Sequence, residues 1–557
     1  MGALLHAARR VARAVRPLVT ITAPPDGVVV EHDVEVRVRD GTILRVNVFR
    51  PARDGRFPVL MCAHPYGKDR LPRRRGARYA IPRQFRLLPQ SVPFTVSAWA
   101  GWEAPDPGYW VPRGYVVVNG DLRGWGRSDG VGELLSEQEA DDYHDLIEWA
   151  AGQPWSTGKV GLNGVSYLAI SQWGAASRRP PHLAAICPWE GFVDAYHDFA
   201  RRGGVREDGF VIMWTALLRL QRRSPVDLRA QQRHRPLFDE WWRARVRDVE
   251  RVEVPALVCG SFSDHCLHSS GTFEGFERIG STDKWLYTHR GPKWAIYYSP
   301  EALAFQDRFF GHFLKGEVNG MERVPRVRVE VREDARTVAG VRGEDAWPLP
   351  GTRWTALALD AATGTLRPTP VGAISSASFA TRHGSLRFVW TLTEDTELTG
   401  PMSARLHVEV RDARDVFLFV GVRKLRGGRP VGFEGSYGFD RDLVTHGMVK
   451  ASLRAVDPDR SRPGRPWHAC ERAEPLRRGE IVAVDVALAP SATLFRAGEQ
   501  LRLDVRGRWF FPRNPLLGQF PAGYERSPRG TCVVHTGGRF DSALHVPVVA
   551  RDVGSRG

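Results

Sequence analysis

A doubly wound α/β sheet with an inserted helical cap, followed by an all-β jelly-roll domain, is the architecture this sequence predicts. Three observations carry it. Between about residues 29 and 320, runs that are apolar without strict alternation, such as FPVLMCAHPYG, YVVVNGD and VPALVCGSFSD, recur between helix-patterned stretches. Runs of that kind read as strands buried on both faces of a parallel sheet. The rhythm lapses from 194 to 249, where FVIMWTALLRLQRR and LFDEWWRARVRDVERV are helical in pattern and rich in tryptophan and arginine. From 321 onward the texture changes to short alternating stretches, RVRVEVRED, SARLHVEVRD and EIVAVDVAL among them, with glycine and proline in the turns, as in β-sandwiches.

The elements follow in order. Residues 1–28 begin with MGALLHAARRVARAVRPL, which places Leu4, Ala8, Val11, Val15 and Leu18 on one helical stripe and arginines on the other. The segment has no continuous apolar h-region, so a secretory signal is not expected. A helix packed on the body is the preferred reading, and contact with a membrane surface is the weaker alternative. The α/β domain then occupies 29–193 and 250–320, with the cap at 194–249 between its parts and the β domain at 321–557. Within it, SEQEADDYHDLIEWAAGQ carries a capping box at Ser136 and Glu139 and an apolar stripe of Ala140, Tyr143, Ile147 and Ala150. Strand, helix, strand in this order implies a parallel sheet.

Composition excludes disordered and repetitive architectures: 42% of the 557 residues are hydrophobic and 25% charged, as in ordinary folded proteins. The net charge of +16 reads as a diffuse solvated surface, because no nucleic-acid motif focuses it. Cys62, Cys187, Cys259, Cys266, Cys470 and Cys532 form no CxxC pair, which suits reduced thiols in a cytoplasmic protein.

The chemistry centres on KVGLNGVSYLAISQW, where Ser166 stands between a strand and an apolar helix. A serine there is either a helix cap or a nucleophile lifted on a strained turn. The literal G-x-S-x-G hit, Gly126 to Gly130 around Ser128, lies in a glycine-rich loop with no following helix and reads as a decoy. A nucleophilic serine needs a base, an orienting acid and oxyanion donors. Asp264 follows the strand VPALVCGSF and His289 ends KWLYTH. Both belong at the carboxyl edge of the sheet, and serine, aspartate, histidine is the chain order of an α/β-hydrolase. His265 and His268 flank Cys266 nearby, but a cysteine nucleophile there would have no elbow.

The chain resembles the cocaine esterase and X-prolyl dipeptidyl-peptidase family of serine hydrolases, which also includes α-amino acid ester hydrolases and glutaryl acylases. The resemblance runs from about Glu31 onward and rests on DGTILRVNVFRP, HPYGKD, DLRGWGRSDG, EADDYHDLIEWAAGQPWSTGKVGLNGVSYLA and the later ELTGPMSARLHVEV and APSATLFRAGEQLRLDV. It implies Ser166 as nucleophile, Asp264 as acid, His289 as base, and an oxyanion hole formed by the Tyr66 hydroxyl and the Tyr167 backbone N–H. It also implies a C-terminal jelly roll and no metal or organic cofactor. Two departures stand out: Ala169 replaces the family's last glycine, and the context of His289 is THRG rather than tryptophan-rich.

The expected activity is hydrolysis of a small ester or amide through an acyl-enzyme, with Trp173, Trp189, Phe192, Trp214 and Phe262 as candidate pocket residues. No carboxylate cluster able to capture a free amine is evident, so an esterase is preferred over an X-prolyl dipeptidyl-peptidase or acylase. A noncatalytic protein that binds through its jelly roll is the reading from another class. Specific nucleic-acid binding is not expected.

Overall fold

The computed structural model describes residues 2–219, 226–435, 439–519 and 521–550. Its sheet runs through β1 (Val28–Arg37), β2 (Ile43–Pro51), β3 (Phe57–His64), β4 (Val116–Asp121), β5 (Ser156–Val165), β6 (Leu183–Trp189), β7 (Ala256–Ser261) and β8 (Lys284–His289). The spatial order is β1-β2-β4-β3-β5-β6-β7-β8, antiparallel for the first two pairings and parallel from β4 onward. This is the α/β-hydrolase sheet. The apolar runs form its centre because the strands are covered on both faces: β4 and β7 are buried at every position.

Four helices matter for the site. They are α1 (Gly2–Val15), α2 (Arg83–Leu87), α3 (Glu137–Ala151) and α4 (Tyr167–Ser177). The Ser136 side chain caps α3 by accepting the Glu139 N–H at 3.1 Å, while Ala140, Tyr143, Ile147 and Ala150 are buried against the sheet. Helix α4 is buried along its whole length, so its near-continuous apolar sequence is the consequence of packing between β5, β6 and α3.

Between β6 and β7 lie several short helical pieces, including α5 (Phe210–Arg219) and α6 (Leu228–His234). Residues 220–223, the end of the helix-patterned FVIMWTALLRLQRR, lie outside the described residues. Beyond β8 the sheet continues through Val327–Arg332, whose last residue pairs with Thr493 of the strand-rich C-terminal domain. There, the long antiparallel strands Thr396–Arg411 and Ile481–Phe495 pair, alternating buried and more exposed residues over 404–411 and 481–488 and buried on both faces over the rest. They enclose a second core of Leu406, Val408, Val484, Val486, Leu503 and their neighbours.

Candidate active site

Helix α4 starts at the turn that ends β5. Gly164 adopts φ +152°, and a Cβ there would lie 2.5 Å from that of Leu168, so glycine is what lets strand and helix fold this tightly. Ser166 follows at φ 60°, ψ −117°, a backbone conformation that costs a non-glycine residue energy and clusters at functional sites. Its N–H is tied to the Trp189 carbonyl at 3.0 Å, which leaves the hydroxyl directed off the sheet edge. Ala169 fits in place of a glycine because the residue facing it is Gly191, where a Cβ would come within 2.7 Å of Ala169 Cβ.

The imidazole that meets Ser166 belongs to His268, with Oγ and Nε2 2.9 Å apart. His289 does not meet it. The Gly291 N–H donates to His289 Nδ1 at 3.2 Å, and Nε2 lies 3.0 Å from Glu190 Oε1, so both ring nitrogens are committed while the ring stacks on Trp189. Asp264 stands in the turn after β7. Its backbone carbonyl accepts the N–H groups of Leu267, His268 and Ser269 at 3.1 to 3.2 Å, fixing the turn that presents His268. Its carboxylate forms an ion pair with Lys293 at 2.6 Å. The C-terminal domain braces the same loop, with His265 Nε2 3.1 Å from the Pro490 carbonyl and Tyr524 donating to the Cys266 carbonyl at 3.3 Å.

Lys293 is the hub of a buried charge cluster that no spacing announced. It lies 2.6 Å from Asp264 and 3.8 Å from Glu190. Burial opposes its charge, but Asp264, Glu190 and Glu103 outweigh that and hold the ammonium protonated, with its pKa above the ordinary value. Burial lowers the pKa of His268 well below the usual imidazole value, and Lys293 pushes it further in the same direction against the opposing charge of Asp264. The ring is therefore neutral at neutral pH, the state in which Nε2 can accept a proton.

Tyr66 follows β3, and its hydroxyl is hydrogen-bonded to Ser166 and Trp214. Burial raises its pKa, so it remains a donor. The Tyr167 N–H is the first of α4, one of the donors that a helix start leaves without an intrahelical acceptor. Ser166, Tyr66 and Glu103 open together into a cavity of about 530 Å³ walled by Leu87, Leu88, Phe210, Met213, Trp214 and Leu218. Of the five aromatic candidates, Trp214 lines this space. Phe192 packs on Phe199 and His268. Trp173 is buried in the core and donates to the Gly191 carbonyl, Trp189 lies between Tyr287 and His289, and Phe262 stacks on Phe273.

The decoys have structural uses. Ser128 Oγ donates to the Asp121 carbonyl at 2.7 Å and accepts the Arg45 N–H at 2.9 Å. Cys266 is buried and its thiol pKa is raised by that burial, the opposite of an activated nucleophile. Among the described residues His265, Asp442 and His446 bring ligand-type atoms within 4.8 Å of one another. Burial depresses both imidazoles, and the charges of Arg290 and Arg202 push them further the same way; two guanidinium groups beside the cluster oppose a cation there.

Two family models match the chain. Residues 40–292 match the X-Pro dipeptidyl-peptidase (S15 family) model and residues 319–545 the X-Pro dipeptidyl-peptidase C-terminal non-catalytic domain. A crystal structure of a CocE/NonD family hydrolase from Staphylococcus aureus superposes with a TM-score of 0.89 at 38% identity, covering 94% of each chain. Cocaine esterase of Rhodococcus sp. is 24% identical over 94% of this chain and 99% of its own. An α-amino acid ester hydrolase at 16% identity, TM-score 0.71, covering 94% of this chain and 97% of its own, shares the fold. The strained serine on its elbow, the two matched domains and the full-length likeness lead to one assignment: the chain belongs to the CocE/NonD family of serine hydrolases.

Proposed function

We propose that the chain cleaves an ester through an acyl-enzyme formed on Ser166, with His268 as the general base and Tyr66 and the Tyr167 N–H as the oxyanion hole. The observation that carries this reading is the 2.9 Å approach of Ser166 Oγ to His268 Nε2 at the elbow beside the cavity. Oγ attacks the carbonyl carbon as Nε2 takes its proton. The carbonyl oxygen gains the negative charge and receives hydrogen bonds from the Tyr66 hydroxyl and the amide N–H, donors held in place before the charge develops. The imidazolium then donates its proton to the leaving alkoxide, the C–O bond breaks, and water, deprotonated by the same ring, releases the acid and restores Ser166. Asp264 contributes through its position: its carbonyl anchors the turn, and its charge favours the transient imidazolium.

The apolar cavity wall suits an aliphatic or aromatic ester. A second reading, an X-prolyl dipeptidyl-peptidase or acylase acting on a substrate with a free amine, is favoured by one group. Glu103 lies on the wall at φ 60°, with Oε1 held by Trp294 at 3.1 Å and Oε2 without a partner among the described residues. Burial raises its pKa to about 7, against the opposing charge of Lys293, and an ammonium would favour its ionised form. Parallel assays of p-nitrophenyl esters and of X-Pro p-nitroanilides decide between them. Ester turnover with no dipeptide release supports the esterase, and preferential release of X-Pro overturns it.

A pH profile tests the base. Catalysis needs the neutral ring, so activity is lost as pH falls through the pKa of His268, which burial depresses. The acid limb of kcat/KM on a neutral ester is therefore expected below the ordinary imidazole value of about 6.5. A midpoint at or above that value contradicts a buried neutral histidine as base.

A further inference from the structure

Helix α1 sits on the body the wrong way round for a packing helix. Its polar side faces inward: His6 and Arg10 are buried, Arg10 donates to the Gly518 carbonyl at 2.8 Å, and Arg9 pairs with Asp440 at 2.9 Å. Its outward face is wholly apolar. Leu4 is 80% exposed, Leu5 64%, Val11 46% and Val15 61%, and Ala8 and Ala12 complete the stripe. Burying that stripe against the protein would have been the favourable outcome, yet polar anchors hold it toward solvent, and Arg86 caps the helix end by donating to the Val15 carbonyl.

The charge around this face is not diffuse. Residues 1–25 contain four arginines and residues 70–102 seven, with no acidic residue in either segment, in a chain whose net charge is +16. The two segments are neighbours. Helix α1 packs on α2, and the hairpin strand Arg78–Tyr79 packs on Val19–Thr22, the strand that follows α1. Arg16, Arg73, Arg74, Arg75, Arg78 and Arg83 are all exposed. Leu87 and Val92, 41% and 45% exposed, extend the apolar surface. The rim of the active-site cavity belongs to the same region, since Arg70, Arg83 and Leu87 line it.

We propose that this face docks on an anionic lipid bilayer, with the apolar stripe of α1 at the level of the headgroups and the surrounding arginines on lipid phosphates. An exposed apolar helical stripe flanked by basic side chains is the physical signature of an interfacial helix, and the absence of acidic groups supplies complementarity to anionic lipid. Docked this way, the cavity opens at the bilayer surface, and a lipophilic ester can enter without crossing bulk water. The docking itself does not depend on the catalytic reading.

The test is sedimentation of the full chain with vesicles of phosphatidylglycerol and phosphatidylcholine, with vesicles of phosphatidylcholine alone, and at low and high salt. The wild type is expected to pellet with the anionic vesicles and to be released by salt. Val11→Asp combined with Val15→Asp is expected to weaken pelleting by about tenfold or more, with an unchanged melting temperature and unchanged hydrolysis of a soluble ester. Leu4→Ser with Leu5→Ser, at more exposed positions, guards against a folding defect in the first variant. Equal pelleting on neutral vesicles, equal pelleting of both variants, or no pelleting with formation of a dimer that the variants dissolve would each overturn the proposal.

Discussion

Replacing His268 with alanine is expected to lower kcat by about 10⁴-fold or more on an ester substrate, close to the loss on removing Ser166 itself. Nucleophile and base act as a unit, so losing either forfeits nearly all of the covalent pathway, and what survives comes from the oxyanion hole and binding. His289→Gln separates this account from one based on chain order. His289 joins Glu190 and the Gly291 N–H within the sheet edge, and a glutamine can still donate to Glu190. The expected consequence is a lower melting temperature, from about 1 to 3 kcal/mol of disturbed buried hydrogen bonding, with kcat changed far less than by His268→Ala. Steady-state kinetics on the two variants reads the difference, and the reverse ranking would return the base to His289.

Tyr66→Phe is expected to reduce kcat by about 100- to 1,000-fold, the usual effect of deleting one oxyanion donor, with KM nearly unchanged. The ring remains to pack against His64 and Tyr167, so the variant should be folded. Its hydroxyl bonds Ser166 and Trp214, a location where charge arises during attack, so the loss falls on the transition state rather than on substrate binding. Turnover at the wild-type level would remove Tyr66 from the mechanism.

The α/β sheet was legible because strands buried on both faces leave an unmistakable run of apolar residues, and β4, β7 and β8 lie where those runs stand. Ser166 was legible for a related reason: the tight turn from β5 into α4 demands small neighbours, and Gly164 and Ala169 supply them. The histidine was not. Chain order directs attention past β8, but whether an imidazole faces the serine is decided by turn geometry, and the turn after β7 brings His268 round on the carbonyl of Asp264. The segment SDHCLHSSG held that residue in view, with nothing in its spelling to rank it over His289. After β8 the chain instead offers Lys293 to Asp264, a pairing between distant segments that no local pattern encodes. Of the five aromatic candidates, Trp214 alone lines the cavity, beside Trp102, Phe210 and Trp294, which the sequence did not single out, since bulk and hydrophobicity do not distinguish a core ring from a pocket ring. The grouping of arginines around α1 has no local sequence pattern, because residues separated by about sixty positions become neighbours only when α1 settles on α2.

The most direct measurement is labelling by a fluorophosphonate, with the modified peptide identified by mass, on the wild type, Ser166→Ala and His268→Gln. The account predicts a single adduct on the peptide carrying Ser166, none in Ser166→Ala, and labelling slowed by several orders of magnitude in His268→Gln, whose amide cannot take the proton. Undiminished labelling of His268→Gln, or an adduct on the peptide of Ser128 or Cys266, would contradict it.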